Sequence, residues 1–69
     1  MAVHVGDRVG WHTSQGMTHG TVVTRHERDF TFDGQHFTAS KSEPAFIVRS
    51  EKTGAEAAHK ESALHPAAD

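Results

Sequence analysis

The dipeptide Asp33-Gly34, within the stretch FTFDGQHF, constrains the fold of this chain more than any other local feature. A two-residue turn of type I′ needs positive φ at both central positions, and Asp-Gly between alternating apolar residues is typical of it. The turn predicts three cross-strand pairs, which are Phe32 with Gln35, Thr31 with His36, and Phe30 with Phe37. The three phenylalanines then share one face, so we interpret the hairpin as a ribbon that covers a core rather than as a ligand platform.

Similar signals along the chain predict further short strands. Val9 and Trp11 alternate with polar neighbours, and we expect both to face the core. Three other strands are expected, at residues 21–24, 45–48 and 56–60. Residues 62–64 are expected to form one helical turn that plugs the end of the fold, ahead of a frayed terminal HPAAD.

Short strands at close spacing without a long helix predict an all-β fold, a small five-stranded SH3-like or Tudor-like barrel with a short terminal helical turn. A chain of 69 residues is expected to be one domain, here residues 1–69 with a core at about 5–64 and frayed termini. The sequence contains no cysteine, which excludes disulfides and thiolate metal sites and favours a cytoplasmic location. We find no signal peptide and no apolar stretch of membrane-spanning length, so no membrane partner is expected.

Several short motifs resemble those of one known family. They are Gly6-Asp7-x-Val9-x-Trp11, Gly20-Thr21-Val22, the FDG turn, Lys52-Thr53-Gly54, and the tail Ala57-Ala58-His59-Lys60 with Ser62-Ala63-Leu64. Over residues 5 to 64 the chain resembles the hypervirulence-associated Tudor-domain family of small bacterial and fungal proteins, and the tail is the most specific part. The resemblance implies a Tudor-type SH3-like barrel and assigns no biochemical activity.

Seven histidines among 69 residues raise the question of a metal site, because histidine is the commonest metal ligand. The sequence contains no H-x-H and no H-x-x-x-H, the spacings that place two imidazoles together on a strand or a helix. A site assembled across strands, for example from His12 with His19 or His59, stays open. We expect no metal and no other cofactor.

The potential nucleophiles favour a non-enzymatic protein without catalytic residues. No serine lies in a strained G-x-S-x-G elbow, and a barrel this small fills its interior with side chains. We therefore predict an interaction module that binds a protein segment or a second copy of itself. A weak nucleic-acid-binding module is the alternative, although the net charge of −2 disfavours it.

Two sets of residues are candidates for binding. The first set is Ser40, His59, Lys60 and Ser62, where lysine and hydroxyl groups could bind a carboxylate or a phosphate. The second set is a basic patch of Arg8, Arg25 and Arg49, at outward positions of strands that could adjoin. A methyl-lysine cage is disfavoured, because the aromatic residues outside the hairpin are expected to point into the core.

Overall fold

The computed structural model describes residues 3–67, which form seven short strands and one 3-10 turn. The strands are β1 (Arg8–Thr13), β2 (Gly16–His26), β3 (Phe30–Phe32), β4 (Gln35–Phe37), β5 (Ala45–Ser50), β6 (Glu56–Lys60) and β7 (His65–Pro66). The 3-10 turn, Glu61–Ala63, connects β6 to β7. These elements confirm the all-β prediction, and β6 and the turn after it lie within one residue of their expected bounds. No helix in the described part of the chain is long and apolar enough to cross a membrane.

Five strands form one antiparallel sheet in the order β6-β5-β2-β1-β7, which we call the main sheet, and β3 pairs with β4 in a separate hairpin. The main sheet curls around its core, since the ring of Trp11 on β1 lies 5.7 Å from the ring of His59 on β6. Within residues 3–67 no ladder joins β6 to β7. The strand pairing therefore shows a curled sheet, and the closed barrel stays a prediction.

The core lies on the inner face of the main sheet, where side chains alternate inward along the strands. Its members are Val3, Val9, Trp11, Val22, Phe46, Val48 and Leu64, with Ala57 packed against them. Trp11 is only 4% exposed, which confirms its predicted place in the core.

Both ends of the described chain extend this packing beyond the expected core of residues 5–64. Val3 is buried in the core, and its backbone N–H donates to Glu61 Oε2 at 2.9 Å. The first two residues of HPAAD are not frayed as expected, because they form β7 and pair with β1 immediately after the buried Leu64. Residues 68–69 lie outside the described residues.

A β-bulge divides β2 into two parts whose side chains face different ways. Val22 pairs with Val48 on the core side, but the next pair joins Thr24 to Ile47, so two residues of β2 oppose one residue of β5. From Thr24 onward the alternation is inverted, and His26 lies on the side opposite the core. This second side, which we call the outer face, carries Ala45, Ile47 and Arg49 of β5.

Gly20 lies at a crowded position of the main sheet, between Val9 on β1 and Ser50 on β5. A Cβ atom on Gly20 would collide with the carbonyl oxygen of Arg49 and would come within 2.8 Å of the Trp11 ring. The packing of Trp11 across β2 therefore requires glycine at this position.

The β3–β4 hairpin has the predicted turn, and all three predicted pairs form. Asp33 and Gly34 have φ values of 52° and 76°, as a two-residue turn of this kind requires. Phe30 stacks on His26 of β2 with ring centroids 3.9 Å apart, and on Phe37 of β4 at 5.4 Å.

The hairpin lies against the outer face of the main sheet, and this differs from the expectation that it covers the core. Its phenylalanines are half-buried and are not members of the core cluster. Ala45 and Ile47 are buried on the outer face, and Phe32 borders a surface depression together with Arg49 and Glu56. The sheet thus separates the aromatic cluster of the hairpin from the main core.

Candidate functional site

A groove of about 340 Å³ lies between the β1–β2 turn and the β5–β6 turn, and we call it the turn groove. Trp11 belongs to the core and Ala57 packs against it, and both contribute to the base of the groove. Met17 lines one side, and Lys52 and Thr53 line the other. The turn groove thus combines an apolar base with polar walls, as ligand-binding sites commonly do.

Hydrogen bonds inside the two turns hold the walls of the turn groove. On one side, the Thr13 hydroxyl donates to the Gly16 carbonyl at 2.9 Å. On the other side, Ser50 Oγ accepts from the backbone N–H groups of Lys52 and Thr53 at 3.2 and 3.4 Å. The walls are therefore positioned in the free protein, which reduces the entropy that a ligand must offset on binding.

The rim of the turn groove offers polar and charged contacts. The Thr18 side chain lies on the same side of the sheet as Trp11, with which Thr18 pairs, whereas the Met17 side chain lies on the outer face beside Gly10. Lys52 adds a positive charge to one wall, while the Glu56 carboxylate lies on the outer face and accepts a hydrogen bond from Arg49 at 2.9 Å. A polypeptide, which carries donors, acceptors and apolar side chains together, matches this rim better than a single charged group does.

Of the four residues in the first predicted set, the structure brings two into one pocket. Lys60 and Ser62 line a pocket of about 190 Å³ with residues 42–44. Ser40 lies just before this segment, where its Oγ accepts from the Glu43 N–H at 3.0 Å, and the Lys60 ammonium contacts the Glu43 carbonyl at 3.4 Å. Binding of a carboxylate or a phosphate at this pocket stays a prediction.

His59 lies apart from the other three residues, because it alternates with Lys60 along β6 and therefore faces the core side. Burial lowers the pKa of His59 below its ordinary value, since the charged imidazolium loses hydration there. A neutral imidazole beside the Trp11 ring contributes packing rather than positive charge.

The three arginines of the predicted basic patch do not share one face. Arg8 and Arg49 lie on the outer face, on either side of Thr21. The bulge in β2 turns Arg25 to the other side, where its guanidinium lies 6.0 Å from the ring centroid of Phe46.

Each of these arginines also has an acidic partner. The pairs are Arg8 with Glu51 at 2.6 Å, Arg25 with Glu27 at 2.9 Å, and Arg49 with Glu56 at 2.9 Å. The hydrogen bond from Arg8 lowers the pKa of the Glu51 carboxyl, which keeps that carboxylate charged. The ion pairs offset much of the positive charge that a phosphate backbone would need.

The sequence leaves open a metal site that is assembled across strands. The described residues do not form such a site with three ligands. Residues 3–67 contain no group of three or more His, Cys, Asp or Glu side chains that could hold a metal ion. His12 lies instead beside His65 of β7, with ring centroids 6.0 Å apart and planes at 88°. This contact depends on β7, which the sequence does not predict.

A comparison with protein families identifies the chain. The family model described as the TUDOR domain of hypervirulence associated proteins matches residues 6–64. The chain belongs to this family. Tudor-type domains are generally non-catalytic binding modules, and their partners are generally proteins or nucleic acids. Comparisons with curated proteins and with solved structures give no match.

The turn groove of this Tudor domain is not a methyl-lysine cage. Such a cage surrounds the ammonium with about three or four aromatic rings. Among the described residues that line the turn groove, Trp11 is the one aromatic residue. The hairpin phenylalanines cannot complete a cage there, because they lie on the outer face of the main sheet.

The two sets predicted from the sequence do not include the turn groove. Met17 and Lys52 are far apart in the chain and meet only because β1, β2 and β5 pair side by side. The local signals were the polar turns SQG and EKTG, which mark loops but do not indicate that the loops adjoin.

Proposed function

We propose that this Tudor domain is a non-enzymatic interaction module that binds an extended segment of a partner protein in the turn groove. The observation that carries this proposal is the combination of an apolar base, at Trp11 and Ala57, with two walls held by their own hydrogen bonds. We place this activity in the cytoplasm, as the lack of cysteine favours.

The composition of the rim supports a polypeptide ligand. Thr18 and Thr53 offer polar contacts beside the apolar base, and Lys52 offers a positive charge. A peptide in an extended conformation can place one side chain on the base and hydrogen-bond its backbone to the walls. Affinity then depends on a few well-packed contacts rather than on net charge.

Nucleic acid is the alternative ligand and is less well supported. The protein has a formal net charge of −2, and the three arginines of the predicted patch are all ion-paired. Phosphate contacts would make binding fall steeply with ionic strength, whereas binding in an apolar groove would change little.

The first prediction tests this proposal with peptides selected from a random display library and with a short oligonucleotide. In NMR titrations, we expect a selected peptide to shift the amide signals of Met17, Lys52 and Thr53 at both low and high salt. Thr18→Glu should weaken peptide binding by about tenfold or more, because it places a charge beside the apolar base at Trp11. Thr21→Glu is the matched control, since Thr21 lies on the outer face of the same strand and does not line the turn groove.

Two results would contradict the proposal. One is that peptide shifts cluster on Lys60 and Ser62, or on the hairpin, and leave the turn groove unchanged. The other is that only the oligonucleotide binds, with shifts around Arg8 and Arg49 that vanish at high salt; this result would support the nucleic-acid alternative.

A further inference from the structure

The outer edge of β6 is open to a further strand. β6 is the terminal strand of the main sheet, and within residues 3–67 no strand pairs with its second edge. Such an edge presents backbone N–H and C=O groups that can pair with another chain.

Hydrogen bonds at the two ends of β6 show which of its residues bond β5. The Ser50 N–H donates to the Ala55 carbonyl at 2.8 Å, and the Glu61 N–H donates to the Pro44 carbonyl at 3.4 Å. In an antiparallel ladder, hydrogen-bonded pairs alternate with pairs that are not hydrogen-bonded. The odd-numbered residues of β6 therefore bond β5, in agreement with the register of the ladder.

The even-numbered residues of β6 direct their backbone groups to the open edge. They are Glu56, Ala58 and Lys60. Their side chains all lie on the outer face, and none has a strand beside it on the open side within the described residues. The edge thus carries three N–H and three C=O groups at regular spacing.

The sequence of β6, EAAHK, is complementary to itself when two copies run antiparallel. With Ala58 opposite its own copy, Glu56 lies opposite Lys60 of the other chain at both ends. The outward-pointing residues are then opposite one another, as hydrogen-bonded pairs of an antiparallel ladder must be. Ala57 lies opposite His59, so a small side chain meets a large one.

We propose that two copies of this protein associate through the open edges of β6, antiparallel and in register around Ala58. The two main sheets then form one continuous sheet of ten strands, with a two-fold axis at the central alanine pair. Opposite charges directly across a strand pair are stabilising, and like charges are destabilising.

The charges of Glu56 and Lys60 also disfavour pairing of β6 with unrelated strands. A short edge strand with charged ends is a common protection against pairing with unrelated strands. In β6 the charges have opposite signs, so they are unfavourable beside most strands and favourable beside a second copy. Arg49 holds the Glu56 carboxylate on the outer face, because its guanidinium contacts Glu56 Oε2 at 2.9 Å.

Five paired residues bury much less surface than a stable dimer interface usually does. The association is therefore weak, with a Kd in the micromolar to millimolar range, and depends on protein concentration. This surface is separate from the base of the turn groove, so the inference does not rest on the proposed peptide binding.

The second prediction tests this register by charge exchange in sedimentation equilibrium experiments over a range of concentrations. Glu56→Lys and Lys60→Glu each place like charges opposite one another, and each should raise the dimer Kd by about tenfold or more. An equimolar mixture of the two variants should associate again, because every pair then has opposite charges. The double variant Glu56→Lys with Lys60→Glu should dimerise like the original chain. Glu51→Lys, which also removes an exposed partner of an arginine, is the matched control and should not change the Kd.

Hydrogen exchange of the full chain gives an independent measurement. The amide of Ala58 should become protected as protein concentration rises, whereas the amide of Ala57 should be protected at all concentrations. Ala58→Pro removes the outward N–H without breaking a bond to β5, so this variant should fold and remain monomeric. A chain that stays monomeric at the highest concentration would overturn the proposal, as would a dimer whose Kd in both single charge variants equals that of the original chain.

Discussion

The main sheet and the β3–β4 hairpin use the same kinds of residue but are stabilised in different ways. Phe46, in the main sheet, is fully buried, whereas Phe30 and Phe37, in the hairpin, are half-buried and stack on one another. The main sheet depends on pairing between distant parts of the chain. The hairpin depends on a two-residue turn and on contacts with one face of that sheet.

We therefore expect the main sheet to determine the global stability of the domain and the hairpin to determine only its own local stability. The core cluster contains no residue of the hairpin, so opening the hairpin leaves the packing of the core intact. We expect the hairpin to open more readily than the main sheet, as elements with few buried contacts generally do.

The largest expected effect is that of Phe46→Ala. Removing this fully buried ring should cost about 3–5 kcal/mol of unfolding free energy, which is a large part of the stability of a small domain. Phe37→Ala is the matched variant in the hairpin, and it should cost about 1 kcal/mol, since it removes a half-buried ring from a stack. Urea unfolding of both variants measures the difference, and equal losses would contradict the separation of the two regions.

A smaller effect, confined to the hairpin, is expected for Gly34→Val. The φ of 76° at Gly34 is unfavourable for a β-branched residue, and the strain should cost about 1–3 kcal/mol of local stability. Hydrogen exchange should become faster at the β3 and β4 amides and should stay unchanged at Val22 and Val48. Gln35→Val, one residue later and in extended backbone, is the control. Equal acceleration across the main sheet would show that the two regions unfold together.

The smallest effect concerns pH and acts on the main sheet alone. The pKa of His59 is lowered by burial in the folded chain, so the unfolded chain binds a proton more readily. The free energy of unfolding should therefore decrease as the pH falls below about 6.5, the ordinary pKa of histidine. His59→Gln should reduce this dependence, and His36→Gln, which removes an exposed hairpin imidazole, is the control. The assignment of His59 is wrong if its variant and the control have the same pH profile.

The parts of the fold that depend on neighbouring residues could be predicted from the sequence. The register of the hairpin follows from Asp33-Gly34, and the inward position of Trp11 follows from simple alternation. The position of the hairpin on the outer face could not be predicted, because it depends on contacts between separate elements. The same holds for β7, whose two residues carry no strand signal of their own.

The candidate site was less predictable than the fold. Lys60 and Ser62 share a pocket because they are near in sequence, but alternation along β6 sends His59 to the other side. The turn groove depends on how two distant turns adjoin, and no motif records such a contact. The basic patch fails for a similar reason, since a single bulge decides which way Arg25 points.

The bulge in β2 reverses which face of the sheet the even-numbered residues of this strand occupy. Val22, before the bulge, packs in the core, and His26, after it, stacks on Phe30 of the hairpin, so one continuous strand contributes to both regions. Deleting Val23 would remove the bulge and leave the pairs from Thr24 to His26 unchanged, whereas a regular ladder that kept Val23 would shift every later residue of β2 by one position along β5. His26 would then turn toward the core side, and Phe30 would lose the ring on which it stacks. The bulge thus connects the two regions of this domain, because leaving Val23 outside the regular pairing sets the face of every residue that follows it in the strand.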